Sequence, residues 1–162
     1  VVIYSPPAEM MLLGAPIEKK RNPQSIVEAQ FSSPWMVAAA IQDREVGLQH
    51  FTEQALKRQD LRQLTQRMYT QEDKSLVRPD GGPGYVRLEI TTTSGDTHTR
   101  LVKFAKGDPK NPMTPAEYEK KFFECATAAD MPRAQAQQVL QRFKQLEKEQ
   151  DVAALQSAMS IL

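Results

Sequence analysis

The side chains that most often carry out acid–base and nucleophilic chemistry are scarce in this sequence. The 162 residues include two histidines, His50 and His98, and one cysteine, Cys125. Neither histidine has a second metal-ligating residue at helical or loop spacing, so we predict no metal site. An exposed imidazole is the simpler interpretation of both histidines. The sequence also contains no phosphate-binding glycine loop and no nucleophile elbow.

Three further features could contribute to a site. The basic cluster Lys19-Lys20-Arg21 could pair with a carboxylate substrate, which arginine can bind through two hydrogen bonds; a solvated surface cluster is the alternative. The segment Gly107-Asp108-Pro109 could shape the mouth of a site or be a structural turn. Cys125 lies on a predicted core stripe and is interpreted as a small buried hydrophobic residue. From the residues alone, no general base, nucleophile and oxyanion site come together.

Composition excludes several classes of function. The 21 basic and 20 acidic residues nearly cancel, so the chain has no general electrostatic reason to bind nucleic acid or an anionic membrane. The longest apolar run, Trp35 to Ile41, is far shorter than the roughly 20 residues that span a bilayer. The first residues lack the layout of a signal peptide. A single cysteine excludes an internal disulfide, so we expect a reducing, cytoplasmic compartment.

The elements expected in the first half are a strand, a connection and several short helices. Residues 1–4 predict a strand, and residues 8–24 predict a connection. Ser25 is followed three residues later by glutamate, the spacing of a capping box for a helix. Pro34 interrupts that helix and is well placed in the first turn of the next one, which Ser33 is predicted to cap. Further predictions are short helices after Thr52 and Asp60 and a strand at Met68–Gln71.

The second half contains the clearest strand pattern. Alternating residues predict a β-hairpin from Tyr85–Thr93 and Thr97–Phe104, with Val86, Leu88 and Ile90 on the covered face. Helices are predicted from Thr114 to about Ala129, from Pro132 and from Asp151. Together these elements predict an α+β fold, with a small antiparallel sheet of three or four strands and helices on one side. We treat residues 1–162 as one domain.

Three stretches give the chain a recognisable signature when they are taken in order. They are the segment 21–38, which contains Ala29-Gln30-Phe31-Ser32; Gly47-Leu48 followed by Phe51-Thr52-Glu53; and the segment 107–114, which begins Gly107-Asp108-Pro109-Lys110-Asn111-Pro112 and is followed by Glu117, Lys121 and Phe122. In this order and spacing they resemble the C-terminal domain of the MmgE/PrpD family, which includes 2-methylcitrate dehydratase, cis-aconitate decarboxylase and iminodisuccinate epimerase. The resemblance extends over nearly the whole chain.

The resemblance implies a particular architecture and chemistry. A helical N-terminal domain would precede this domain, with the active site between the two and a homodimer formed by the full-length protein. The reaction would be proton abstraction beside a carboxylate of a small polycarboxylate, without a metal or cofactor. The main acid and base residues would belong to the helical domain, so the catalytic residues of this chain are unknown. Because the sequence opens in a strand without methionine, we also expect it to be part of a longer polypeptide.

The resemblance further indicates Gln30, Ser32 and Trp35 as substrate-binding residues at a helix break. The family usually has tyrosine or another aromatic residue at the position of Trp35, so tryptophan replaces a phenol with an N–H donor. Interior packing is the alternative interpretation of all three. Substitution of Gln30 or Ser32 is expected to reduce activity with little change in stability, whereas substitution of Phe31 or Pro34 should harm folding. A non-catalytic binding or assembly module is the alternative function.

Overall fold

The computed structural model describes residues 1–160, which divide into two compact units, one from residue 1 to 105 and one from residue 106 onward. The first unit contains four strands, β1 (Val2–Ser5), β2 (Tyr69–Glu72), β3 (Val86–Thr91) and β4 (Thr97–Val102). Its helices are α1 (Pro7–Glu9), α2 (Ile17–Arg21), α3 (Ile26–Gln30), α4 (Ser33–Asp43) and α5 (Gln59–Thr65). The second unit contains α6 (Pro115–Ala128), α7 (Arg133–Phe143) and α8 (Val152–Met159).

The sheet has the strand order β2-β1-β3-β4. The pairs β1–β3 and β3–β4 are antiparallel, whereas β1 and β2 run parallel. The predicted α+β class and the four strands are confirmed, but the sheet is mixed rather than wholly antiparallel. The parallel pair is possible because helices α1–α5 supply the long crossover that joins its two strands.

The hairpin faces follow the alternation in the sequence. Val86 is paired with Val102 across β3 and β4, and Val86 and Leu88 pack against the buried core. The second strand ends at Val102, two residues before the predicted end at Phe104. On β3 the covered face is therefore the one that the pattern predicts, whereas every residue of β4 is exposed, including Val102 at 47%.

Helix α4 forms the centre of the first unit. It is apolar over most of its surface, and its side chains at Trp35, Ala38 and Ala39 are fully buried. Small alanine side chains permit the close packing of α4 against α5. The buried core is a single cluster of apolar residues contributed by the sheet and the helices, namely Ile3, Ala29, Trp35, Ala38, Ala55, Leu56, Leu61 and Met68.

The segment predicted as a connection, residues 8–24, is largely helical. Residues Met10–Gly14 form a π-helical turn that continues α1, and α2 follows it. The turn packs against β2, where the Thr70 hydroxyl donates to the Gly14 carbonyl at 2.8 Å. A Cβ atom at Gly14 would lie 3.2 Å from the Thr70 Cβ, so glycine permits this close approach. Tertiary contact, rather than sequence periodicity, determines the structure here.

In the second unit, the predicted helix starts are confirmed. Thr114 and Glu117 form a reciprocal capping box at the start of α6, and Asp151 caps α8. The prediction for Cys125 is wrong, because its side chain is exposed and its neighbour Ala126 is the buried residue of α6. The buried face of α6 is thus rotated by one residue from the predicted stripe.

None of the helices formed by residues 1–160 combines the length and the apolar character that crossing a bilayer requires.

Candidate functional site

The helix break at residues 30–34 arises from local sequence. Helix α3 begins after Ser25, whose hydroxyl accepts the N–H of Glu28 at 3.2 Å, while the Glu28 carboxylate accepts the N–H of Gln24 at 2.6 Å. The helix ends at Gln30, and Pro34 lies in the first turn of α4. Proline lacks an N–H and suits only the start of a helix, so two short helices form instead of one.

Ser32 holds this junction together from inside the protein. Its side chain is fully buried, and its hydroxyl accepts the N–H of Trp35 at 3.0 Å. The same hydroxyl donates to the carbonyl of Lys20 at 2.5 Å. Ser32 therefore caps α4 and ties it to α2, one residue earlier than the cap at Ser33 that the sequence suggested.

Trp35 is also fully buried. Its indole N–H donates to the carbonyl of His50 at 2.9 Å, which joins α4 to the turn that follows it. The contacts of Ser32 and Trp35 are those of interior packing, the alternative interpretation of both residues. Contact of either side chain with a substrate stays a prediction.

Gln30, the third predicted substrate-binding residue, is exposed. It lies beside Phe31, which is 43% exposed, and the backbone carbonyl of Phe31 accepts a hydrogen bond from the Lys20 ammonium at 2.7 Å. The same ammonium donates to the carbonyl of Leu12 at 2.6 Å. We call the surface formed by Met11, Leu12, Lys20, Gln30 and Phe31 the junction surface. It combines an ammonium, an amide and three exposed apolar side chains.

The basic cluster is divided between two roles. Arg21 donates through Nε and Nη2 to the carbonyl of Met68, at 2.7 and 2.5 Å. Its guanidinium also lies 4.6 Å from the ring centroid of Tyr69. Lys19 is exposed, whereas Lys20 belongs to the junction surface. Arg21 is thus engaged in the fold, and Lys20 is the basic residue at the helix break.

His50 is buried, contrary to the expected exposed imidazole. The N–H of Gly47 donates to its Nδ1 at 3.0 Å, so Nε2 carries the proton and donates to Asp43 Oδ2 at 2.9 Å. Arg58 donates to both carboxylate oxygens of Asp43. These bonds, first from Arg58 and then from His50, lower the pKa of Asp43 from 3.8 to about 2.

This network of Asp43, His50 and Arg58 serves the fold. Both ring nitrogens of His50 are hydrogen-bonded, so neither is left to exchange a proton with a bound molecule. Sequence reasoning missed the network because the partners lie 7 and 15 residues apart on separate elements, beyond the three- or four-residue spacing at which side chains of one helix meet. The other histidine, His98, lies exposed on β4.

The loop at residues 107–114 has the hydrogen bonds of a structural turn. Gly107 has a φ of 95°, which favours glycine, and its N–H donates to the carbonyl of Asn111 at 2.9 Å. The N–H of Asn111 donates to the carbonyl of Asp108 at 2.7 Å. Within residues 1–160, no three histidine, cysteine, aspartate or glutamate side chains are grouped as a metal site would require.

Comparison with known proteins identifies the family. A search of curated proteins gave no match to this sequence. The model of the MmgE/PrpD C-terminal domain matches residues 1–146, a range that includes the whole first unit, the loop at 107–114 and helices α6 and α7. Because that match extends over most of the 162 residues, the chain belongs to the MmgE/PrpD family.

Proposed function

We propose that this domain forms part of a metal-free lyase or isomerase, a dehydratase, decarboxylase or epimerase, that acts on a small polycarboxylate. Membership of the MmgE/PrpD family over residues 1–146 supports this proposal. The observation that carries it is the junction surface, where the Lys20 ammonium donates to the carbonyl of Phe31 within the motif Ala29-Gln30-Phe31-Ser32, one residue after the exposed Gln30.

The proposed reaction begins with removal of a proton next to a carboxylate. Such a step needs a base, an acid and cationic or N–H groups that bind carboxylates and stabilise the negative charge that develops. The junction surface can supply the last of these. His50 is committed to Gly47 and Asp43, so we assign the acid and base groups to a helical domain of the same protein. That domain completes the site and forms the homodimer, and this chain alone is inactive.

The test is reconstitution with a separately produced helical domain of the same protein. Dehydration, decarboxylation and epimerisation of a panel of small polycarboxylates are followed by ¹H NMR. The mixture should turn over at least one substrate, and neither part should do so alone. Gln30→Ala should reduce turnover, whereas Gln63→Ala, at an exposed glutamine of α5, should not. No turnover of any polycarboxylate by the mixture would contradict the proposal.

One observation favours a non-catalytic binding or assembly module as the second candidate. Trp35 lies where the family usually has tyrosine or another aromatic residue, and its only side-chain N–H donor is used on the buried carbonyl of His50. If the reaction requires a phenol at this position, this chain lacks it. Polycarboxylate binding by the reconstituted protein without any turnover would support this second function.

A further inference from the structure

The Lys20 ammonium is a half-buried charge held by backbone carbonyls. Nζ donates to two backbone carbonyls, those of Leu12 at 2.6 Å and Phe31 at 2.7 Å. An ammonium has three N–H donors, so one remains for another acceptor. Within residues 1–160, no carboxylate pairs with Lys20.

Several other basic residues of this chain are paired with acidic ones. Lys144 lies 2.6 Å from the carboxylate of Glu119, and Lys106 lies 3.0 Å from that of Glu117. Carbonyl oxygens orient the Lys20 ammonium but carry no net charge, so its positive charge is not neutralised. A lysine that is already held by two hydrogen bonds also loses less side-chain freedom when it binds an anion.

The position of Lys20 makes it the candidate among the three neighbouring basic residues. Lys20 Nζ links the carbonyl of Leu12 in the π-helical turn to that of Phe31 at the end of α3, one residue after the exposed Gln30. Arg21 is excluded as an alternative, because its guanidinium donates to the Met68 carbonyl and stacks on Tyr69. Among the three basic residues of the cluster, Lys20 alone combines a fixed ammonium with a place on the junction surface.

We infer that Lys20 binds a carboxylate group of the substrate through its third N–H. The inference rests on the proposed function for the nature of that carboxylate, and it adds the residue that recognises it. Leu12 and Phe31, whose carbonyls accept from the ammonium, also have exposed apolar side chains that a bound ligand would partly cover. Gln30 would supply an amide N–H to the same ligand.

The direct test uses tricarballylate, an unreactive tricarboxylate, added to the ¹⁵N-labelled chain. The side-chain ammonium resonance of Lys20 and the backbone amides of residues 30–32 should shift together. Lys20→Met should weaken binding at least tenfold, whereas Lys19→Met, at the exposed neighbouring lysine, should change it by less than twofold. The uncharged trimethyl ester should cause no shift.

Several results would overturn the inference. One is a Lys20 ammonium resonance that stays unshifted at tens of millimolar tricarballylate, whether or not resonances of other residues shift. Equal losses in Lys19→Met and Lys20→Met would indicate diffuse attraction to a basic surface. Because the ammonium resonance is observed in the unaltered chain, the test stands even if Lys20→Met fails to fold.

The reconstituted protein separates this inference from the proposed function. If it turns over a polycarboxylate, Lys20→Met should raise KM at least tenfold, and Lys20→Arg should restore part of that loss. Turnover with an unchanged KM in Lys20→Met would refute the inference and leave the proposed function intact. Binding of tricarballylate at Lys20 without turnover of any substrate would support the inference and contradict the proposed function.

Discussion

Ser32→Ala should destabilise the first unit, although the sequence suggested that this change would affect activity alone. The substitution removes the cap of α4, whose loss costs about 1 kcal/mol. It also leaves the Lys20 carbonyl without the hydroxyl that donates to it at 2.5 Å, which costs about 1–2 kcal/mol more. The sum of about 2–3 kcal/mol corresponds to a fall in Tm of roughly 4–12 °C for a chain of this size.

The single tryptophan provides the assay. Trp35 is the only tryptophan of the chain and is fully buried beside the substituted residue, so its fluorescence reports unfolding of the first unit. Urea and thermal denaturation of Ser32→Ala are compared with those of Ser33→Ala. The Ser33 hydroxyl makes no hydrogen bond within residues 1–160, so its loss should cost less than about 0.5 kcal/mol. Equal effects of the two changes would refute the capping argument.

Four further predictions concern single residues. Trp35→Phe should lose about 1–2 kcal/mol of unfolding free energy, measured in urea, because the His50 carbonyl loses its indole donor. Asp43 stabilises the fold fully above pH 4 and less as the pH falls through its lowered pKa of about 2, so acid unfolding of Asp43→Asn should lack this component. Thr114→Ala should cost about 1 kcal/mol by removing the cap of α6, measured by amide hydrogen exchange. Cys125 should react with a thiol reagent in the native protein, because it is exposed; slow labelling would contradict this.

Helix starts could be predicted from the sequence because their causes are local. At Thr114 the capping residue, the following proline and the glutamate three positions later all act within one turn. At Glu117, the Thr114 N–H, the Lys106 ammonium and the Thr114 hydroxyl together lower the pKa of the carboxyl from 4.5 to about 2. Pro34 determined the break between α3 and α4 in the same way. The hairpin could be predicted equally well, since alternation over several residues identifies the face of β3 that packs on the core.

Features that depend on distant contacts could not be predicted. The parallel pairing of β1 with β2 joins strands separated by five helices, and no periodic pattern records it. Asp43 and Arg58 are 15 residues apart, so no local pattern predicts that Arg58 binds the carboxylate that accepts from His50. In α6 the buried residue is Ala126 rather than Cys125, and because neighbouring helical positions differ by 100°, tertiary packing rather than the sequence pattern decides which of the two faces the interior.

The segment that carries the family resemblance contains both buried and exposed residues, and only the exposed ones are free to contact a substrate. Ala29, Ser32 and Trp35 are fully buried, and core packing and the cap of α4 account for them. Gln30 and Phe31 are exposed, so core packing does not account for either side chain. If this surface served the fold alone, replacing Gln30 would change nothing beyond small surface effects. We therefore expect Gln30→Ala to lose activity at unchanged stability and Ser32→Ala to lose stability. That pair of results would assign substrate binding to Gln30 and helix capping to Ser32 within one motif.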